Sequence, residues 1–185
     1  MTEWITQLDF AVLHWMRDTL SCGFLDFLMP KISFLGNAGW IWLLAGVILL
    51  LIPKYRRHGC FLLVGLAIGA LLGNVVMKPL FARPRPCHTE SFVPLLIPVP
   101  EDYSFPSGHT LSSVLSAVIL TNADRRFGVL SSVLAALIAF SRLYLFVHFP
   151  SDVLASVLLG IIIGRIVPKA GTWVFERLRK NHTPQ

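Results

Sequence analysis

Residues 60–77 read CFLLVGLAIGALLGNVVM, 18 positions in a row without an acidic or basic side chain. As a helix this run rises about 27 Å, close to the roughly 30 Å hydrocarbon core of a bilayer. Working outward, similar runs occupy 38–52, 107–120, 127–147 and 153–166, the shorter ones needing a few flanking residues to cross. The chain is 55% hydrophobic and only 14% charged, against roughly a quarter charged in soluble domains. These features predict an all-α, polytopic membrane helix bundle.

Ahead of the run at 38–52, residues 4–29 mix Ile5, Leu8, Val12 and Trp15, at helical spacing, with Asp9, His14, Arg17, Asp18 and Asp26. That pattern predicts an N-terminal amphipathic helix lying at the interface, with a sixth span as the alternative, so five to six transmembrane helices in all. No Pro/Gly/Ser-rich or charged stretch is long enough to act as a linker, and residues 1–185 are expected to form one domain with its core at about 38–168. A basic region, apolar core and small-residue cleavage site are missing from the N-terminus, so no cleaved signal peptide is expected. Cys22, Cys60 and Cys87 lack a paired C-x-x-C spacing and predict neither zinc nor a redox centre.

The net charge of +6 lies in short clusters between apolar runs rather than along one stripe, which argues for topology signals and against nucleic acid. Lys54, Arg56 and Arg57, then Arg125 and Arg126, then Lys169, Arg177, Arg179 and Lys180 all fall on one side. Cytoplasmic loops collect such cations, so the other side is expected to face away from the cytoplasm. The segment 87–103 on that outer side is rich in proline and is expected to be irregular, in the manner of a lid.

Three polar islands converge at that outer face: KPLFARPRP from Lys78, FPSGHT around His109, and SRLYLFVHFPSD from Ser141 to Asp152. A lone Lys or Arg at a membrane face is ordinarily a snorkelling anchor. Here Lys78 and Arg85, from opposite ends of the first island, and Arg142, from the third, arrive beside His109 and His148, an arrangement suited to clamping a phosphate oxyanion. Ser107 is a good N-cap for the helix after it, and Gly108 lets an anion approach the helix N-terminus closely. A plain helix start explains the tetrapeptide PSGH equally well. His148 and Asp152 are one turn apart, so the carboxylate can hold one ring nitrogen and leave the other free; a purely structural His–Asp pair is the alternative. Two histidines divide the labour of phosphoryl transfer into nucleophile and proton donor. A metal site is disfavoured by the surrounding cations, although Glu101 and Asp102 keep it open.

These residues, K-x6-R-P at Lys78–Pro86, P-S-G-H at Pro106–His109 and S-R-x5-H-x3-D at Ser141–Asp152, resemble the type 2 phosphatidic acid phosphatase superfamily over roughly 38–168. The resemblance implies that Lys78, Arg85 and Arg142, with Ser107 and Gly108, bind phosphate. It further implies that His109 donates the proton, that His148 is the nucleophile and forms a phosphohistidine, and that Asp152 orients it. No cofactor or metal is implied. Arg83 repeats the Arg-Pro dipeptide two residues early, and contact with a second phosphate or a headgroup is the reading left for it. Small bacterial members of this architecture resemble undecaprenyl pyrophosphate phosphatases of the inner cell membrane with an outward-facing site. Phosphatidylglycerophosphate, phosphatidate, diacylglycerol pyrophosphate and lipid A phosphates are the competing substrates.

Other classes use the islands less completely. A transporter predicts ionisable residues at span centres, and these spans have none. A vanadate-dependent oxidase shares the constellation in soluble proteins. An inactive scaffold would be expected to carry at least one damaged motif.

Overall fold

The structure is a computed structural model and describes residues 3–181, with side chains up to residue 177. Its long elements are helices α1 (Glu3–Leu20), α2 (Gly23–Leu35), α3 (Trp40–Leu51), α4 (Arg56–Ala70), α7 (Gly108–Ala123), α8 (Arg125–Tyr144) and α9 (Pro150–Asn181). Two short helices, α5 (Lys78–Phe81) and α6 (Pro86–Thr89), lie between α4 and α7. No strand occurs among the described residues.

Helix α7 is the central element, packed against α8, α9 and α4. It buries Leu111, Leu115, Ile119 and Leu120 together with Ser113 and Ser116. The run GIIIG on α9 explains how close that packing is: a Cβ at Gly160 would lie 2.9 Å from Val114 Cβ, and one at Gly164 would lie 2.8 Å from Val118 Cβ. Small residues four apart let helix backbones approach where burial from water supplies no driving force. On the opposite side of α9, Leu154, Leu158, Ile162 and Ile166 form an exposed apolar stripe at i, i+4 spacing, as expected of a lipid-facing surface.

Three helical stretches are long and apolar enough to cross a membrane: Arg56–Thr89, Arg125–Tyr144 and Pro150–Arg177. The α2–α3 pair makes a fourth if counted as one span bent by 43°. The bend sits at Ala38 and Gly39, both in the left-handed region at φ 49° and 67°. Counted as one span, that pair begins at Gly23, against the boundary of 38 read from hydropathy.

The expected single amphipathic helix over 4–29 is two helices. Cys22 is extended and its N–H is 3.4 Å from the Tyr144 hydroxyl, which breaks the chain between α1 and α2. On helix α1, Leu8, Val12 and Trp15 are exposed alongside Glu3, His14 and Asp18, while Asp9 is buried with Leu13 and Met16.

The basic loops meet at one end of the bundle. Tyr55, next to Arg56 and Arg57, packs on Phe127 and lies 3.5 Å from Asp124, and Arg57 sits over Phe175 of α9. Arg179 and Lys180 lie outside the residues whose side chains are described. The three polar islands gather at the other end.

Candidate active site

Local chain geometry delivers each group. The apolar helix α4 continues through a π-helical turn, Leu71–Met77, which hands over to Lys78 at the start of α5. Such turns often mark functional positions. Ala82, left-handed at φ 41°, then ends α5, and Pro84 and Pro86 frame Arg85 in extended backbone. On the far side, Phe146 at φ 58° makes the sharp turn between α8 and α9 that presents His148. The turn is closed by bonds from Val147 N to Arg142 O at 3.2 Å and Leu145 N to Ser141 O at 2.9 Å. Phe10 and His14 of α1 pack on the Phe146 ring and hold this strained residue in place.

Lys78, Arg85, His109, Arg142 and His148 all line one cavity of about 670 Å³. Arg85 donates Nη1–H to Val147 O at 2.6 Å and lies 3.1 Å from His148 Nε2. An arginine only donates, so His148 Nε2 is the acceptor and the imidazole proton sits on Nδ1. His148 is 1% exposed. Its burial pushes the imidazole well below its ordinary pKa, and Arg85, Arg142 and Lys78 act the same way, so the ring is neutral at neutral pH. Arg142 donates Nη1–H to Ser33 of α2, while its buried Nε has no partner among the described residues. His109 Nε2 is 2.9 Å from Asn37 Oδ1 in the α2–α3 bend.

Asp102 occupies the cationic end. It accepts from Lys78 Nζ through one oxygen and from Arg85 Nη2 at 2.6 Å through the other, and its carbonyl accepts from Arg85 Nε at 2.8 Å. Burial raises the carboxyl, but Lys78 and Arg85 outweigh that and lower it to about 2. Asp102, one of the two carboxylates that kept a metal reading open, is thus spent on two cations. The loop holding it is irregular after α6, as expected, and is pinned by Ser104 N to Arg83 O at 2.9 Å.

Three expected placements change. Asp152 is 3.6 Å from His148 Nδ1, beyond a hydrogen bond, and its oxygens instead accept from Ser104, from Arg83 and from Phe149 N at 2.9 Å. Ser107 is fully buried, capping α7 through Thr110 N at 3.5 Å and bonding Ser156 through its own N–H. Its hydroxyl is a cap, whereas Gly108 does line the cavity. Arg83 faces away from the cavity: it bonds Asp152, Ser151 at 2.8 Å and Asp9 at 2.7 Å, with its guanidinium over the Phe149 ring at 3.9 Å.

Sequence reading missed Asn37, Asn74, Ser33 and Asp9. Asn74 lines the cavity and had a legible signal, as the one amide in the apolar run 60–77. Asn37 sits in a Gly-Asn-Ala-Gly turn cluster. Ser33 has no signal in the sequence.

The PAP2 superfamily model matches residues 58–176, which include every site residue named above from Lys78 to Asp152. The chain belongs to this family, and by class it is a hydrolase acting on phosphate esters or anhydrides. It is 36% identical over 137 residues to an undecaprenyl-diphosphatase of Sulfolobus acidocaldarius, covering 74% of this chain and 66% of that protein. It is 37% identical over 138 residues to a decaprenylphosphoryl-5-phosphoribose phosphatase of Mycobacterium tuberculosis, covering 72% of each. The crystal structure of Aquifex aeolicus LpxE superposes with a TM-score of 0.78 at 27% identity, over 88% of this chain and 95% of that one.

Proposed function

We propose that this chain hydrolyses the terminal phosphate of an isoprenyl lipid diphosphate, most closely undecaprenyl pyrophosphate to undecaprenyl phosphate and phosphate. The observation that carries this reading is the shape of the cavity. Its polar end holds three cations and two histidines, and the same cavity runs on between α3, α4 and α7 along Leu43, Leu63, Leu66, Ala67 and Leu115. A phosphate on an apolar chain fits both ends. The two sequence relatives described above are named for isoprenyl lipid substrates, which supports the choice of tail.

In the proposed reaction, Lys78, Arg85 and Arg142 take the phosphoryl oxygens and displace the Asp102 carboxylate. The lone pair of His148 Nε2 forms an N–P bond to the terminal phosphorus as the P–O–P bridge breaks, its electrons leaving on the bridging oxygen, which stays with undecaprenyl phosphate. His109 gives that oxygen its proton. Water then attacks phosphorus, the N–P bond breaks back onto Nε2, and His109 takes the water proton. Cations aimed at developing charge in a site shielded from water supply most of the rate.

In this reading the chain is a multi-pass protein of the inner cell membrane with this site outward. Helix α7 and the bent α2–α3 pair complete five spans, and α1 lies at the interface. The basic loops gathered at the opposite end support that orientation.

The test is phosphate release by purified protein in detergent with excess EDTA. Undecaprenyl pyrophosphate, phosphatidylglycerophosphate, phosphatidate and a lipid A phosphate are compared side by side. Preference for the isoprenyl diphosphate is expected. Preference for a glycerolipid or lipid A would overturn the substrate, and loss of activity in EDTA that magnesium restores would overturn the metal-free mechanism.

A further inference from the structure

Behind His148, on the side away from the cavity, lies a buried ionic cluster that the reaction above does not use. Asp9 of α1 is 4% exposed, Arg83 7% and Asp152 0%. Arg83 bridges the two carboxylates, with Nη1 on Asp152 Oδ1 and Nη2 on Asp9 Oδ2. Asp9 also accepts from Ser151 N at 2.9 Å and Ser151 Oγ at 2.5 Å, at the first turn of α9. It therefore crosses from the N-terminal helix, outside the span matched by the family model, to within two bonded partners of the nucleophile.

The charges decide what this arrangement does. Arg83 alone on Asp152 would make a neutral pair. His148 would then face only the cations of the cavity: Arg85 from the loop after α5, Lys78 from α5 and Arg142 from α8, with His109 of α7 beyond them and Asp102 already committed to Lys78 and Arg85. With Asp9 added, two carboxylates share one guanidinium and the cluster keeps one net negative charge. The carboxylate of this cluster nearest the nucleophile, that of Asp152, has its Oδ2 3.6 Å from His148 Nδ1. A histidine attacking phosphorus through Nε2 becomes cationic, and a fixed negative charge on its far side stabilises that state.

We infer that Asp9 is a positioning residue for the reaction, supplying through Arg83 and Asp152 the net negative charge that supports His148 as nucleophile. The inference rests on the proposed phosphohistidine reading and deepens it. A merely structural Asp9, capping α9 and docking α1, would lower stability but leave the chemistry of folded molecules unchanged.

The experiment compares wild type, Asp9→Asn, Arg83→Gln and the double variant in detergent. The folded fraction is isolated by size exclusion, and kcat, KM and the pH profile are measured on undecaprenyl pyrophosphate. Asp9→Asn is expected to lower kcat about tenfold with KM nearly unchanged. It should also move the acid limb of kcat/KM to lower pH, because losing a nearby negative charge favours the neutral imidazole. The double variant leaves Asp152 alone beside His148 and is expected to recover kcat above Asp9→Asn. Asp9→Ser keeps an acceptor for Ser151 without charge and carries the same arm if Asp9→Asn does not fold. Wild-type kcat and pH profile in folded Asp9→Asn or Asp9→Ser, or losses that simply multiply in the double variant, would overturn the inference alone. Wild-type protein releasing phosphate from none of the four lipids would overturn the functional reading, and this inference with it.

Discussion

Arg83 and Arg85 stand two residues apart in one proline-framed loop, yet they serve opposite faces of the His148 turn. Arg85 points into the cavity, touches His148 Nε2 and shares Asp102 with Lys78. Arg83 points behind the turn and is consumed by Asp9, Ser151 and Asp152. In a regular extended backbone successive side chains leave on opposite sides, so a spacing of two residues would place both arginines on one face. The left-handed Ala82 and the bond from Ser104 N to Arg83 O swing Arg83 away. The cavity face sets three cations against the single carboxylate of Asp102, whereas the back face sets one cation against two carboxylates.

The largest effect that would test this division is His148→Ala, expected to lower turnover by about 10⁴-fold or more, since a covalent mechanism has no substitute nucleophile. Phosphate release from undecaprenyl pyrophosphate checks it, and robust residual activity would sink the assignment. Arg142→Ala on the cavity face is next. Its Nε has no partner among the described residues and its loss removes a donor from developing charge, so kcat is expected to fall about 10²–10³-fold and KM to rise.

On the back face the expected loss is in stability first. Arg83→Leu leaves Asp9 and Asp152 buried without their shared cation, a change costing about 3–5 kcal/mol, read as a lowered midpoint in thermal or denaturant unfolding. A stability unchanged by this substitution would show that the cluster is not closed as described.

The smallest effect concerns Asp102, which fills the anion site of the cavity face. Asp102→Asn is expected to tighten inorganic phosphate a few-fold, by removing a competing carboxylate. Because the folded carboxyl is held at about 2, below its ordinary 3.8, its grip on Lys78 and Arg85 is complete above about pH 4 and is lost only as pH falls through 2. The gain in phosphate affinity should therefore be the same at pH 5 and pH 8, measured by competition against lipid substrate.

The same contrast separates what was legible from what was not. Lys78, Arg85, His109, Arg142 and His148 line one cavity, as the placement of their three polar islands at or near the ends of apolar runs implies. Ser107 was legible as a helix cap, and that is the role its hydroxyl takes. Asp152 was legible as a partner of the His148 turn, but its bonds go to Ser104, Arg83 and Phe149 N. Asp9 reads in sequence as an interruption of an amphipathic pattern; its pairing with Arg83, 74 positions away, has no local trace.

Hydropathy and motif spacing alone determined that the chain is helical, membrane-embedded and equipped to grip and cleave a phosphate, since those properties depend on run length and on which residue types end each run. The bend within the first span, the two faces of the His148 turn and the reach of α1 into the site were decided only by tertiary structure. They depend on left-handed residues at 38, 39, 82 and 146 and on ion pairs between distant segments, and their energies arise from burial and close packing that no local window of sequence contains.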